Sequence, residues 1–94
     1  MKEKIYVGID LAKASSRVAA LDGKSEAVCK PFDIANSKEG IKKLLDKLSF
    51  YKIEQIVCGM EISSNYWENM CSYLKEMGIE VILLNPYQVK KYRQ

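Results

Sequence analysis

The sequence predicts an α/β domain built on a mixed five-stranded sheet in the spatial order 3-2-1-4-5. The first three strands form an antiparallel meander, the fourth and fifth run parallel to the first, and helices pack on the sheet. Three observations carry this. An apolar, β-prone run, KIYVGIDL, occupies Lys4 to Leu11. Asp22-Gly23 stands between two further β-like runs, a strong hairpin signal. Two amphipathic helical stripes follow, each leading into another short apolar run, the alternation that produces parallel strands joined by helical crossovers.

Ile5, Tyr6, Val7 and Ile9 are β-branched or aromatic in an almost unbroken apolar run. That is the pattern of a central strand buried on both faces. Gly8 lets another backbone or a ligand come close just before Asp10, the acid on which the run ends. The polar segment Lys13-Ala14-Ser15-Ser16 then interrupts the pattern, and Arg17 to Leu21 resumes it as a second strand. Asp22-Gly23 predicts a type I′ turn with positive φ at both central positions, and Glu26 to Phe32 supplies the third strand.

Asn36 with Glu39 three residues on reads as a capping box opening a helix. Ile41, Leu44, Leu45 and Leu48 form its apolar stripe, with Lys42, Lys43, Asp46 and Lys47 on the solvent side. Gln55 to Met60 is the fourth strand, and it too ends on an acid, Glu61. Ser63, Ser64 and Asn65 offer caps for a second helix whose apolar stripe is Trp67, Met70, Cys71, Leu74 and Met77, with Gly78 in the left-handed position after its end. Ile79 to Leu84 is the fifth strand, and Asn85-Pro86 caps a further helix from Tyr87.

Bulk properties narrow the chemistry. Ninety-four residues make a single domain, 1–94, and 48% hydrophobic with 29% charged residues is ordinary for a globular protein. Lys and Arg exceed Asp and Glu by 15 to 12, a net charge too small to establish a nucleic-acid partner by itself. Cys29, Cys58 and Cys71 show no CxxC spacing and their odd number cannot pair fully, so reduced, buried thiols are expected. The absence of histidine excludes a Cys/His zinc site, a Ser-His-Asp triad and a histidine base within these residues. No run approaches the ~20 apolar residues that span a bilayer, so no membrane is expected and the location is read as cytoplasmic.

If the fourth strand pairs with the first, Asp10 and Glu61 emerge together at the carboxyl edge of the sheet, where open α/β sheets bind ligands. Each has a plainer role available: Asp10 as a turn cap, Glu61 as a surface acid at the helix approach. Together they suit a divalent cation, which reverses the repulsion between two close carboxylates. Oxygen-only ligation selects Mg2+ or Mn2+, the ions of two-metal phosphoryl transfer.

The segments VGIDLAKASSRVAALDG and VCGMEISSNYWENMCSYLKEMGIEVILLNPYQVKKYR closely resemble the N-terminal domain of DEDD-type insertion-sequence transposases, over nearly the whole chain. The specific elements are Gly-Met-Glu-x-Ser-x-x-Tyr-Trp and Asn-Pro-x-x-Val-Lys. The resemblance implies a ribonuclease-H-like, RuvC-like fold, metal-dependent cutting and joining of DNA, and Asp10 and Glu61 as the first two catalytic acids, both binding Mg2+. The family's two remaining aspartates follow the Asn-Pro-x-x-Val-Lys segment, so the expectation is an incomplete fragment of a longer transposase, inactive alone. A departure is Ser63-Ser64, where family members usually carry Thr-Gly. Some branches are thought to use a guide RNA, and a homo-oligomer is expected of the full-length protein.

Lys90, Lys91 and Arg93 put three positive charges in the last ten residues without an acid, a candidate DNA-backbone contact or a solvated helix end. Lys13 and Arg17, near the carboxyl edge, are weaker candidates of the same kind. A competing reading is a nucleotide-binding phosphotransferase of the sugar-kinase and actin-like class, which also opens with a strand ending in Gly-x-Asp. Lys13-Ala14-Ser15 lacks the glycine of that class's phosphate turn. A third reading is a fragment that folds and associates without catalysis.

Overall fold

In the computed structural model, which describes residues 3–62 and 67–84, the apolar runs become strands β1 (Ile5–Leu11), β2 (Ser15–Leu21), β3 (Phe32–Ala35), β4 (Ile56–Glu61) and β5 (Glu80–Leu84). The amphipathic stripes become helices α1 (Lys38–Lys47) and α2 (Trp67–Glu76). The strands form a single sheet in the order β3-β2-β1-β4-β5. β1 pairs antiparallel with β2 and parallel with β4, β3 is antiparallel to β2, and β5 is parallel to β4. This is the predicted mixed sheet, consistent with a ribonuclease-H-like fold.

Both helices cover the same face. Ile5, Val7 and Ile9 of β1 lie in register with Ile56, Cys58 and Met60 of β4, and these pack with Ile41, Leu44 and Leu48 below α1 and Met70 and Leu74 of α2 in one buried cluster. Two crossovers that step the same way across a sheet with the same handedness place their helices on the same side. The reading of β1 as buried on both faces is therefore corrected. Its burial alternates, and Tyr6 on the other face is 50% exposed. Tyr6 and Gly8 fit either pattern, so the run of apolar letters hid a period of two.

Ser16 was read as part of a polar interruption, yet β2 includes Ser15 and Ser16, and Ser16 is buried. Its hydroxyl donates to Oδ1 of Asn36. Asn36 is thereby taken from the capping role expected of it. The N-cap of α1 is Ser37, whose side chain accepts from the Gly40 N–H at 3.2 Å.

The third strand is displaced from Glu26–Phe32 to Phe32–Ala35. The hairpin turns differently from a type I′ loop: Ser25, at φ 64°, is the residue in the left-handed region, and the Asp22 carboxylate accepts from the N–H groups of Lys24 and Glu26. The returning chain makes only an isolated bridge, Leu21 to Ala27. Pro31 offers no N–H to a ladder, and pairing resumes after it, with Phe32–Ala35 opposite Val18–Ser15.

Smaller corrections concern ends. Gln55 belongs to a 3-10 turn, Ile53–Gln55, before β4, and Ile79 is buried just ahead of β5. In the second stripe Met70, Cys71 and Leu74 are buried, whereas Met77, beyond the helix end, is 38% exposed. Cys29 is only half-buried. Gly78 has φ 81°, as its position after α2 requires. The caps proposed at Ser63, Ser64 and Asn65 and the helix after Asn85-Pro86 lie outside the described residues. Among the described residues no helix is long and apolar enough to cross a membrane.

Candidate metal centre

Asp10 lies on β1 one residue past the Ile9–Met60 pairing, and Glu61 lies on β4 one residue past it in the same parallel register. Residues matched in register point to the same face, and adjacent strands are roughly 4.8 Å apart. Both acids are exposed, unlike their buried neighbours Ile9 and Met60, so both project from the open face at one edge. One cleft of about 520 Å³ is lined by Asp10 and Glu61 together with Gly8, Gly59, Arg17 and Leu84. The local reason is the same for both acids. Each follows a core residue, Ile9 or Met60, near the carboxyl end of its strand and so takes the opposite, exposed face, where a carboxylate keeps its water.

The row continues across the sheet. Asp10 pairs with Arg17 on β2, Arg17 pairs with Asp33 on β3, and Glu61 pairs with Leu84 on β5. Arg17 thus stands beside Asp10, and its Nε is 3.6 Å from Oδ1 of Asp33. Sequence reasoning misses Asp33 because it ends the third strand at Phe32, one residue short of it. The alternation in Phe32-Asp33-Ile34-Ala35, with Ile34 buried, is the signal that would have put it on the open face.

Lys13 lies exposed in the β1–β2 turn at the same edge. Asn36 holds this turn: its Nδ2 donates to the carbonyls of Ala12 at 2.6 Å and Lys13 at 3.3 Å, and its backbone N–H to Ala14 at 3.3 Å. Lys90, Lys91 and Arg93 lie outside the described residues.

The donor set is two carboxylates. Among the described residues no group of three or more His, Cys, Asp or Glu gathers around one point. The nearest soft donor in sequence, Cys58, belongs to the buried cluster on the helix-covered face. Burial pushes its thiol up to about 12, so it stays protonated. Two exposed carboxylates in an open cleft suit a hard cation such as Mg2+, which is commonly held by one or two carboxylates with water and substrate phosphate completing its shell.

Residues 7–94 match the family model of transposases of the IS110 DEDD type. The transposase for insertion sequence element IS1533 of Leptospira borgpetersenii is 32% identical over 91 residues, which is 97% of this chain and 26% of the relative. The chain therefore spans about a quarter of the length of that curated relative. Among solved structures, a Ppx/GppA family member of Aquifex aeolicus is similar with a TM-score of 0.48 at 15% identity, over 93% of this chain and 37% of that one. A second structure of the Aquifex aeolicus PPX-GPPA enzyme gives 0.49 at 17% identity, over 93% and 38%.

Proposed function

The chain belongs to the transposase family of the IS110 DEDD type, and on that premise we propose that it forms the metal-binding front of a catalytic domain that cuts and joins DNA phosphodiesters during transposition of an insertion sequence. Asp10 and Glu61 are the ligands of Mg2+ or Mn2+. The observation that carries this reading is their shared face and shared edge on adjacent parallel strands, at one open cleft. When bound, a divalent ion supplies positive charge against the charge that builds on phosphate oxygens as a phosphodiester is broken.

The chain's own residues supply the rest. Gly8 and Gly59 leave the face beside the acids without side chains, so a nucleic-acid backbone can approach the sheet closely. Arg17 lines the same cleft, and its guanidinium, paired with Asp33, is a donor suited to phosphate oxygens beside the acids. Lys13 adds positive charge at the edge, and Lys90, Lys91 and Arg93 add charge suited to DNA phosphates. The chain spans about a quarter of its curated relative, and in this reading the domain works as part of a longer enzyme.

In a complete transposase carrying this domain, Asp10→Ala abolishes DNA cleavage with the far-UV circular dichroism unchanged. Retained cleavage overturns the catalytic assignment of Asp10. Glu61→Gln weakens Mn2+ binding, and an unchanged titration removes Glu61 from the site.

A further inference from the structure

Arg17 stands between two acids. Asp10 faces it across the β1–β2 pairing and Asp33 across the β2–β3 pairing. Side chains directly opposite in an antiparallel pair have Cβ atoms about 5 Å apart, so an arginine in the middle reaches either neighbour. Its ion-pair partner among the described residues is Asp33, at 3.6 Å. This choice has a consequence for the cleft. A guanidinium on Asp10 would occupy the oxygens needed by a cation and set a like charge against it.

We infer that Asp33 is a positioning residue: it draws the Arg17 guanidinium away from Asp10 and so keeps that carboxylate available to a divalent cation. The inference rests on the metal-binding reading of Asp10 and Glu61. Asp33 is two strands from Asp10, about 10 Å at ordinary strand spacing. That exceeds the Debye length of about 8 Å at physiological ionic strength, so its own charge acts on the cation only weakly. Its influence runs through Arg17. Both partners of the pair are mostly exposed, with side chains 60% and 62% accessible, so the pair is of the weak surface kind. It suffices because it competes with a second surface pair of similar strength across the neighbouring strand. What places Asp33 there is the resumption of pairing after Pro31, which sets Phe32–Ala35 against Val18–Ser15.

The test is a calorimetric Mn2+ titration, in a complete transposase carrying this domain, of the parent and of Asp10→Asn, Asp33→Asn, Arg17→Gln and the Asp33→Asn/Arg17→Gln double variant. Circular dichroism confirms the fold of each. Asp33→Asn should weaken binding about threefold, the scale of an exposed ion pair. Arg17→Gln should not weaken it, and the double variant should match Arg17→Gln. Unaltered affinity in Asp33→Asn overturns the inference. A loss that persists in the Arg17→Gln background overturns it too, because Asp33 then acts through the fold or by its own charge. Failure of the metal reading is separately visible: Mn2+ binding is then absent from the parent or indifferent to Asp10→Asn, and this inference falls with it.

Discussion

Ser16 and Asn36, twenty residues apart in sequence, share a hydrogen bond that ties the start of β2 to the approach of α1. The hydroxyl of Ser16 is buried and donates to Asn36 Oδ1, while the amide of Asn36 holds the Ala12 and Lys13 carbonyls just beyond Asp10. Asn36→Ala strands a buried hydroxyl and releases the turn, which costs about 2 kcal/mol. Ser16→Ala added to Asn36→Ala removes the stranded group, so the second change should cost less than it does in the parent. Urea midpoints of the four proteins check this, and strictly additive losses would show that the two side chains act independently.

Gly40, in the first turn of α1, touches the end of β3. A Cβ added there would overlap the carbonyl oxygen of Ala35, a backbone atom that cannot swing aside. Gly40→Ala must push helix and strand apart, which should destabilise by about 3 kcal/mol despite the better helix propensity of alanine. Gly8→Ala is the contrast, because a Cβ there meets nothing nearer than the Ala19 carbonyl oxygen at 3.9 Å. Denaturant midpoints should separate the two variants clearly, and similar losses would contradict the close approach at Gly40.

The strand order and the meeting of Asp10 with Glu61 were legible because each acid closes an apolar run and a helix lies between the runs. Local letters were enough there. They failed where the deciding partner is distant or where a residue type is ambiguous. Ser16 looked like a break because its buried hydroxyl is satisfied by Asn36, which no local pattern reveals. Glu26–Phe32 looked like a strand because it follows the Asp22-Gly23 hairpin signal, while Pro31 denies the ladder a donor at the decisive place. Asp33 was lost with that error, since its face follows from the register of β3.

The basic residues at the end of the sequence are tested by salt. If Lys90 and Lys91 each neutralise a phosphate, replacing both by alanine in a complete transposase lowers the slope of log binding constant against log salt by about two units on duplex DNA. The loss should be nearly the same for specific and unrelated sequences, because backbone contacts read no bases. An unchanged slope returns both lysines to solvent.

Cys58 gives the domain a pH dependence of known sign. Its thiol is pushed from the ordinary 9.0 to about 12 by burial in the sheet's helix-covered core. The folded protein therefore keeps a proton that the unfolded chain releases above about pH 9. Stability contributed by the neutral thiol is fully present below that pH and falls as pH rises toward about 12. The decline approaches 1.4 kcal/mol per pH unit for one such group. Tyrosines and lysines also titrate in this window, so the informative quantity is the difference between the parent and Cys58→Ala. The alanine variant starts less stable because a buried sulfur is lost, but its stability should fall less steeply between pH 9 and 11. Parallel curves would mean that the thiol reaches water in the folded state, and that the sheet beneath α2 opens more readily than its packing implies.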